Sequence, residues 1–158
     1  VNPPGAVSDP DRDSSDGTLL FDKSSAEVVF IVAQMPHGWA ADRGIRPHVH
    51  WCKTTSAEGG VAWGLKWKYA SVGKTFTDWT SEYAVANEAV GNEDTANHHA
   101  LSSFEFPIIS GTPSCIFMFE LARLTSNEAD TYAADAKLIV FDLHYVTAVG
   151  GTINEFSD

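Results

Sequence analysis

The sequence is short of cysteine, of positive charge and of long apolar runs, and each shortage excludes a class of protein. Two cysteines among 158 residues are too few for the disulfide framework of a small secreted domain. Ten Lys and Arg residues stand against 21 Asp and Glu residues, so the formal net charge is −11. Phosphate backbones and anionic lipid surfaces repel so acidic a chain, and we expect no nucleic-acid partner. No apolar run approaches the roughly 18 residues of a membrane helix, so we expect no membrane partner.

Aromatic residues are plentiful, with five Trp, nine Phe and four Tyr. A chain of this length forms one domain and buries a core without needing a staple. The two cysteines, Cys52 and Cys115, lie in apolar runs typical of strands, where a thiol commonly behaves as a small hydrophobic side chain. We therefore predict two buried free thiols, with a single disulfide bridge as the alternative.

The N-terminal residues differ in composition from the rest of the chain. Residues 1–17 contain three prolines, two glycines, four aspartates and three serines, which is typical of an arm or linker. We predict a flexible arm over 1–17, either a loose end or a segment laid over a neighbouring subunit. A single β-sandwich domain is predicted over 18–158.

From residue 18 onward, short apolar runs alternate with turn residues, and helical spacing is almost absent. Eight strands are predicted, over 18–21, 27–35, 45–52, 61–70, 76–84, 98–107, 115–124 and 137–147. Their spacing of about 10–15 residues, without crossover helices, predicts an all-β fold, namely an antiparallel β-sandwich of jelly-roll type. Because 28–35 and 115–122 are apolar on both sides, we predict that both runs are buried on both sheet faces.

The most distinctive chemistry lies in residues 45–52, IRPHVHWC. In a strand, His48 and His50 point to one face, and Val49 and Trp51 point to the other. Together with His144 from a later strand, they could form a three-nitrogen metal site.

Two other arrangements of these histidines are open. Two imidazoles from each of three chains around a trimer axis would give an octahedral set of six nitrogens. Alternatively, the histidines are neutral, hydrogen-bonded to carbonyls and to Asp142, in a polar seam between the sheets. We favour the polar seam, because H-x-H alone carries little specificity, and we predict no cofactor. A fourth histidine, His37, precedes the loop that leads into the same strand.

Catalytic motifs are weak in this sequence. Cupin enzymes are double-sheet β proteins with an H-x-H metal site, and their first motif places a Glu four or five residues after the second His. Those positions are Thr54 and Thr55 here, and the first acid is Glu58. No G-x-S-x-G elbow, phosphate-binding glycine loop or C-x-x-C pair occurs. We expect a protein that is not an enzyme, with a cupin-like metal-dependent enzyme that uses His48 and His50 as an alternative.

Two further sets of residues could bind ligands. Predicted acidic and polar loops over 86–97 and 125–135 offer oxygen ligands for calcium, although neither has the EF-hand spacing. Those ligands are Glu88, Asn92, Glu93 and Asp94 in the first loop, and Asn127, Glu128, Asp130 and Asp135 in the second. Trp63 and Trp67 are predicted in the core, whereas Trp39 and Trp51 could stack on a sugar or fill a subunit interface.

Four stretches carry a family resemblance: QMPHGW at 34–39, IRPHVHW at 45–51, DTYAAD at 130–135 and VFDLHY at 140–145. They resemble a family of tailed-bacteriophage structural proteins, and the likeness covers most of the chain. Members of that family resemble β-sandwich or jelly-roll modules that decorate virions as capsid decoration proteins, head fibres or appendage knobs, and are typically trimeric.

The resemblance has consequences for function and location. It implies a virion component that forms a homotrimer and contacts other virion proteins, such as the major capsid protein or an appendage. A receptor- or glycan-binding knob of a tail or head fibre is the alternative. The resemblance supplies no set of catalytic residues.

Overall fold

A computed structural model of the chain describes residues 8–90 and 96–148. In these ranges it contains nine strands and one short 3₁₀-helix, η1 (Ala41–Arg43), and no helix there is long and apolar enough to cross a membrane. The strands are β1 (Asp11–Arg12), β2 (Leu19–Phe21), β3 (Val28–Gln34), β4 (Ile45–Lys53), β5 (Gly59–Ala70), β6 (Ala84–Val90), β7 (His99–Ser103), β8 (Ile116–Arg123) and β9 (Ala136–Tyr145).

The strands form two antiparallel sheets that pack face to face, which confirms the predicted β-sandwich. One sheet has the order β1-β2-β9-β4-β7, and the other has the order β3-β8-β5-β6. From β2 to β9, every connection crosses between the sheets except the one from β5 to β6. Without the two-residue β1, the sheets have four strands each, and this alternating arrangement is that of a jelly roll.

Alternate strand positions fill the space between the sheets with aromatic and aliphatic side chains. Trp63 is fully buried, as predicted, and Trp67 packs against the same core. Trp39 and Trp51 are 3% and 0% exposed, so the prediction that they stack on a sugar or fill a subunit interface is wrong. Other fully buried core residues are Phe21, Val49, Leu65, Phe104, Phe117, Phe119 and Leu121.

Cys52 and Cys115 are both buried and free, as predicted. The side chain of Cys52 lies on the outer side of β4, whereas Cys115 precedes β8. Burial raises the pKa of each thiol above its ordinary value. Both thiols therefore stay protonated at neutral pH and act as small apolar side chains.

Residues 8–17, in the segment predicted as a flexible arm, are held on the domain. β1 pairs with β2, and Lys137 in β9 contacts two carboxylates of this segment. Its Nζ lies 2.6 Å from Asp13 Oδ2 and 3.1 Å from Asp16 Oδ2. Residues 1–7 of the predicted arm lie outside the described residues.

The predicted strand over 76–84 is wrong. A tight turn follows β5, in which the Lys74 amide donates to the Ser71 carbonyl at 3.0 Å. Beyond that turn, the amides of Thr77 and Thr80 donate to the carbonyls of Tyr69 and Trp67, so this segment lies irregularly along β5. The regular strand is β6, which begins at Ala84 and includes residues 86–90 of the predicted acidic loop.

Candidate functional site

β4 and β9 bring the three predicted histidines together on the outer face of the five-stranded sheet. His48 pairs with Asp142, and the neighbouring Arg46 pairs with His144. Val49 and Trp51, which alternate with the histidines along β4, are fully buried in the core. The imidazoles therefore face away from the opposite sheet, and the predicted polar seam between the sheets is wrong.

A β-bulge at Ile139 decides which residues of β9 share this face. His50 pairs with Val140 and Trp51 pairs with Leu138, so Ile139 is an extra residue in β9. After the bulge, Asp142 and His144 lie on the outer side. Before it, Leu138 lies on the core side and is 8% exposed. Unbroken alternation along 137–147 would place Leu138 on the same face as Asp142 and His144, but the extra residue reverses the alternation.

The Asp142 carboxylate lies at the centre of the cluster. Its Oδ1 is 3.6 Å from His48 Nδ1, and its Oδ2 is 3.5 Å from both His50 Nε2 and His144 Nε2. The rings of His48 and His144 meet edge to face, with centroids 4.2 Å apart. Sequence reasoning named Asp142 only as a hydrogen-bond partner, and the structure makes it the residue around which the three imidazoles converge.

A fourth histidine extends the cluster toward β7. His99 Nε2 lies 2.8 Å from His50 Nδ1, and the two rings stack with centroids 5.0 Å apart. His99 was not among the predicted site residues, and it lies 49 positions beyond His50. The available signal was its place at the start of a predicted strand, but the pairing of β7 with β4 was needed to bring it here.

The environment of His48 favours the neutral imidazole. Burial, followed by the nearby His144, lowers the pKa of His48, and the Asp142 carboxylate opposes this only in part. His48 is 5% exposed. Among the described residues, neither His48 Nδ1 nor the facing Asp142 Oδ1 has a hydrogen-bond partner. The cluster thus holds a ring nitrogen and a carboxylate oxygen that face each other at 3.6 Å without a hydrogen bond between them.

The other predicted ligand residues lie elsewhere. In the described ranges, the candidate ligand atoms that gather within 4.8 Å of one another belong to His48, Asp142 and His144, so His37 is outside the group. The Asp130 carboxylate of the second predicted calcium loop is bound by the Arg123 guanidinium in the interior. Asn92, Glu93 and Asp94 of the first loop lie outside the described residues, and β6 includes the position of Glu88.

A second exposed feature is an apolar patch on the outer face of the four-stranded sheet. Phe30 and Val32 are 60% and 62% exposed, so the prediction that this strand is buried on both faces is wrong. Val32 pairs with the half-buried Met118 of β8, and the Phe30 ring lies 6.0 Å from that of Trp79. Phe76 is 40% exposed and contacts Lys68, which also lies over Trp79. We call Phe30, Val32, Phe76, Trp79 and Met118 the β3 patch.

A scan against protein-family models and searches of curated proteins and solved structures found no match for the chain. Function is therefore inferred from surfaces of the described residues, such as the cluster around Asp142 and the β3 patch.

Proposed function

We propose that the chain is a non-enzymatic structural module that self-associates through the β3 patch. The observation that carries this proposal is the exposure of Phe30 and Val32 in the middle of a regular strand. Large apolar side chains that are adjacent on one sheet face mark protein–protein contact surfaces, because water leaves them when a partner docks. Burial on a second copy would also restore the two-sided burial that the composition of β3 indicates.

Charge favours another copy of this chain as the occupant of the patch. The chain carries a net charge of −11, which opposes self-association over most of its surface. The charged residues on the outer side of β3, β8 and β5 are Lys66, Lys68 and Glu120. This face is therefore less acidic than the chain as a whole, and copies can approach one another there with less repulsion.

The resemblance to tailed-phage structural proteins points to the setting of this assembly, which we propose is a homotrimer in a virion. Jelly rolls recur in viral capsid domains, which agrees with this role. The fold also occurs in lectins, so the fold alone does not choose the function. Burial of Trp39 and Trp51 disfavours the glycan-binding alternative, because it removes the two side chains proposed to stack on sugars.

The mass of the protein in solution tests the self-association. Light scattering after size exclusion should give about three times the chain mass of 17.1 kDa for the wild type. The double variant Phe30→Ser/Val32→Ser should elute as the single chain. Ile108→Ser is the matched control, because Ile108 is 71% exposed but lies outside the four-stranded sheet, and it should remain a trimer. A monomeric wild type, or a double variant that remains trimeric, would contradict the proposal.

The setting in a virion has its own test. Antibodies raised against the chain, detected by electron microscopy on intact particles of a phage that encodes it, should label the particle at regular positions. Label over the capsid surface supports a decoration protein, and label at the tail supports an appendage module. Particles that carry no label would contradict the virion role. They would not contradict self-association, which the measurement of mass tests.

A further inference from the structure

We propose that His48, Asp142 and His144 form a binding site for a divalent transition-metal ion of the zinc or cobalt type. The site lies on the outer face of the five-stranded sheet, on the opposite side of the molecule from the β3 patch. Metal binding is measured per chain. This measurement therefore tests the proposed metal site independently of self-association.

The first observation is that, among the described residues, two buried atoms of the cluster have no hydrogen-bond partner. His48 Nδ1 and Asp142 Oδ1 face each other at 3.6 Å, and neither makes a hydrogen bond within the part of the chain described. A buried polar atom without a partner destabilises a protein by roughly 1–3 kcal/mol, and more when the atom is charged. A cation between the two atoms would satisfy both of them at once.

The spacing of the donor atoms is the second observation. Separations of 3.5–3.6 Å exceed the roughly 2.7–3.2 Å expected of N–H···O hydrogen bonds. Two nitrogen or oxygen ligands bound at about 2.0–2.2 Å to a tetrahedral ion lie roughly 3.3–3.6 Å apart. The distances from His48 Nδ1 to Asp142 Oδ1 and from His144 Nε2 to Asp142 Oδ2 match this spacing, so each imidazole faces its own oxygen of the carboxylate. The ligand atoms of the remaining pair, His48 and His144, lie within 4.8 Å of each other.

The chemistry of the donors selects the class of ion. Imidazole nitrogen suits zinc, cobalt, nickel, copper and iron, whereas calcium and magnesium prefer sites built entirely of oxygen ligands. A single carboxylate beside two imidazoles leaves one or more coordination positions open for water.

His50 offers the nearest further donor for an open position. Its Nε2 lies 3.5 Å from Asp142 Oδ2, while its Nδ1 contacts His99. In the tautomer in which His50 Nδ1 donates to His99, the lone pair of Nε2 faces the cluster. Metal-bound histidines commonly donate their second ring N–H to an acceptor that fixes the orientation of the ring, and His99 Nε2 is the acceptor in contact with His50 Nδ1 here.

Titration of the chelator-treated full chain with zinc by calorimetry tests the site. Wild type should bind one zinc per chain, and cobalt at the same site should give visible d–d absorption bands. Bound zinc should also raise the unfolding temperature, because it binds the native chain and not the unfolded one. Asp142→Asn and His144→Ala should each abolish all three signals, whereas His37→Ala, which removes a histidine outside the cluster, should leave them unchanged.

The variants are chosen so that loss of folding does not mimic loss of binding. Asn has nearly the shape of Asp, and the His144 side chain is 65% exposed, so neither change disturbs the core. Their circular dichroism without metal should match that of the wild type, and neither variant should unfold at a lower temperature than the metal-free wild type. A wild type that binds no zinc, or binding that persists unchanged in both variants, would overturn the proposal. Calcium binding as tight as zinc binding would overturn the assigned class of ion.

Discussion

Arg123 and Asp130 form a bidentate ion pair in the interior, with both side chains 0% exposed. Arg123 Nε and Nη2 donate to the two Asp130 oxygens, each at 2.9 Å. The other guanidinium hydrogens reach the carbonyls of Phe21, Tyr132 and Ala134. The pair therefore joins the end of β8 to the end of β2 and to the loop before β9.

Replacement of Arg123 by Met should destabilise the fold by about 3–5 kcal/mol. The change leaves the Asp130 carboxylate buried without its main compensating charge, and it removes the donor that Arg123 supplies to each of three carbonyl groups. Urea unfolding followed by tryptophan fluorescence measures the loss of stability.

The substitution Lys23→Met is the control. Lys23 also contacts Asp130, at 3.6 Å, but its side chain is 35% exposed, so its loss should lower the stability by less than about 1 kcal/mol. Equal losses in the two variants would contradict this account.

The class of the fold and the direction of the β4 side chains could be predicted from the sequence because both depend on local alternation. The period-two pattern of β4 places Val49 and Trp51 in the core and both histidines on the other face, and the structure agrees. In both cases the local sequence favours the same conformation that the tertiary packing requires.

The remaining features depend on pairing between distant segments, which alternation does not encode. The bulge at Ile139 becomes visible only when β9 is aligned with β4, and it moves Leu138 to the core. His99 joins the cluster through the pairing of β7 with β4. Exposure of Phe30 was missed for a different reason, since an apolar side chain has the same appearance in a sequence whether it packs in a core or at an interface between chains.

The ion pair between Asp13 and Lys137 should make the stability of the fold depend on pH in the acid range. The hydrogen bond from Lys137, with those from Ser15, holds the pKa of Asp13 well below its ordinary value of 3.8. A depressed native pKa contributes stability that is complete above the unfolded value and is lost as the pH falls through the native one. The substitution Asp13→Asn should therefore lower the unfolding temperature at about pH 6 and have a much smaller effect at about pH 2.

Thermal unfolding of both proteins across this pH range measures the difference, and Asp9→Asn provides the control. Asp9 is an exposed residue of the same N-terminal segment, so its loss should change little at any pH. A difference between Asp13→Asn and the wild type that remained constant down to pH 2 would show that the carboxylate charge is not the cause.

Both thiols should react slowly with Ellman's reagent while the protein is folded. Burial raises the pKa of Cys52 and of Cys115, so the reactive thiolate is scarce and the reagent reaches it poorly. Two thiols should react at once in guanidinium chloride, which also checks that no bridge forms. Ser24→Cys, at an exposed position, should add one fast thiol to the folded protein. Fast reaction of Cys115 in the folded wild type would contradict its burial.

Gly59 should be far less tolerant of alanine than Gly73, although both have positive φ. At Gly59 φ is 130°, and a Cβ would lie 2.6 Å from the Tyr132 Cα, a backbone atom with no flexible side chain that could yield. At Gly73 φ is 74°, and a Cβ would meet nothing within 4 Å. Gly73→Ala therefore introduces only backbone strain of about 1–2 kcal/mol. Gly59→Ala adds a clash to strain of that order, so its loss of stability should exceed about 3 kcal/mol.

Urea unfolding of the two variants compares their losses of stability directly. Equal stabilities would mean that the loop around Tyr132 shifts freely away from β5, contrary to the two hydrogen bonds that the amides of Thr131 and Tyr132 donate to the Gly60 carbonyl.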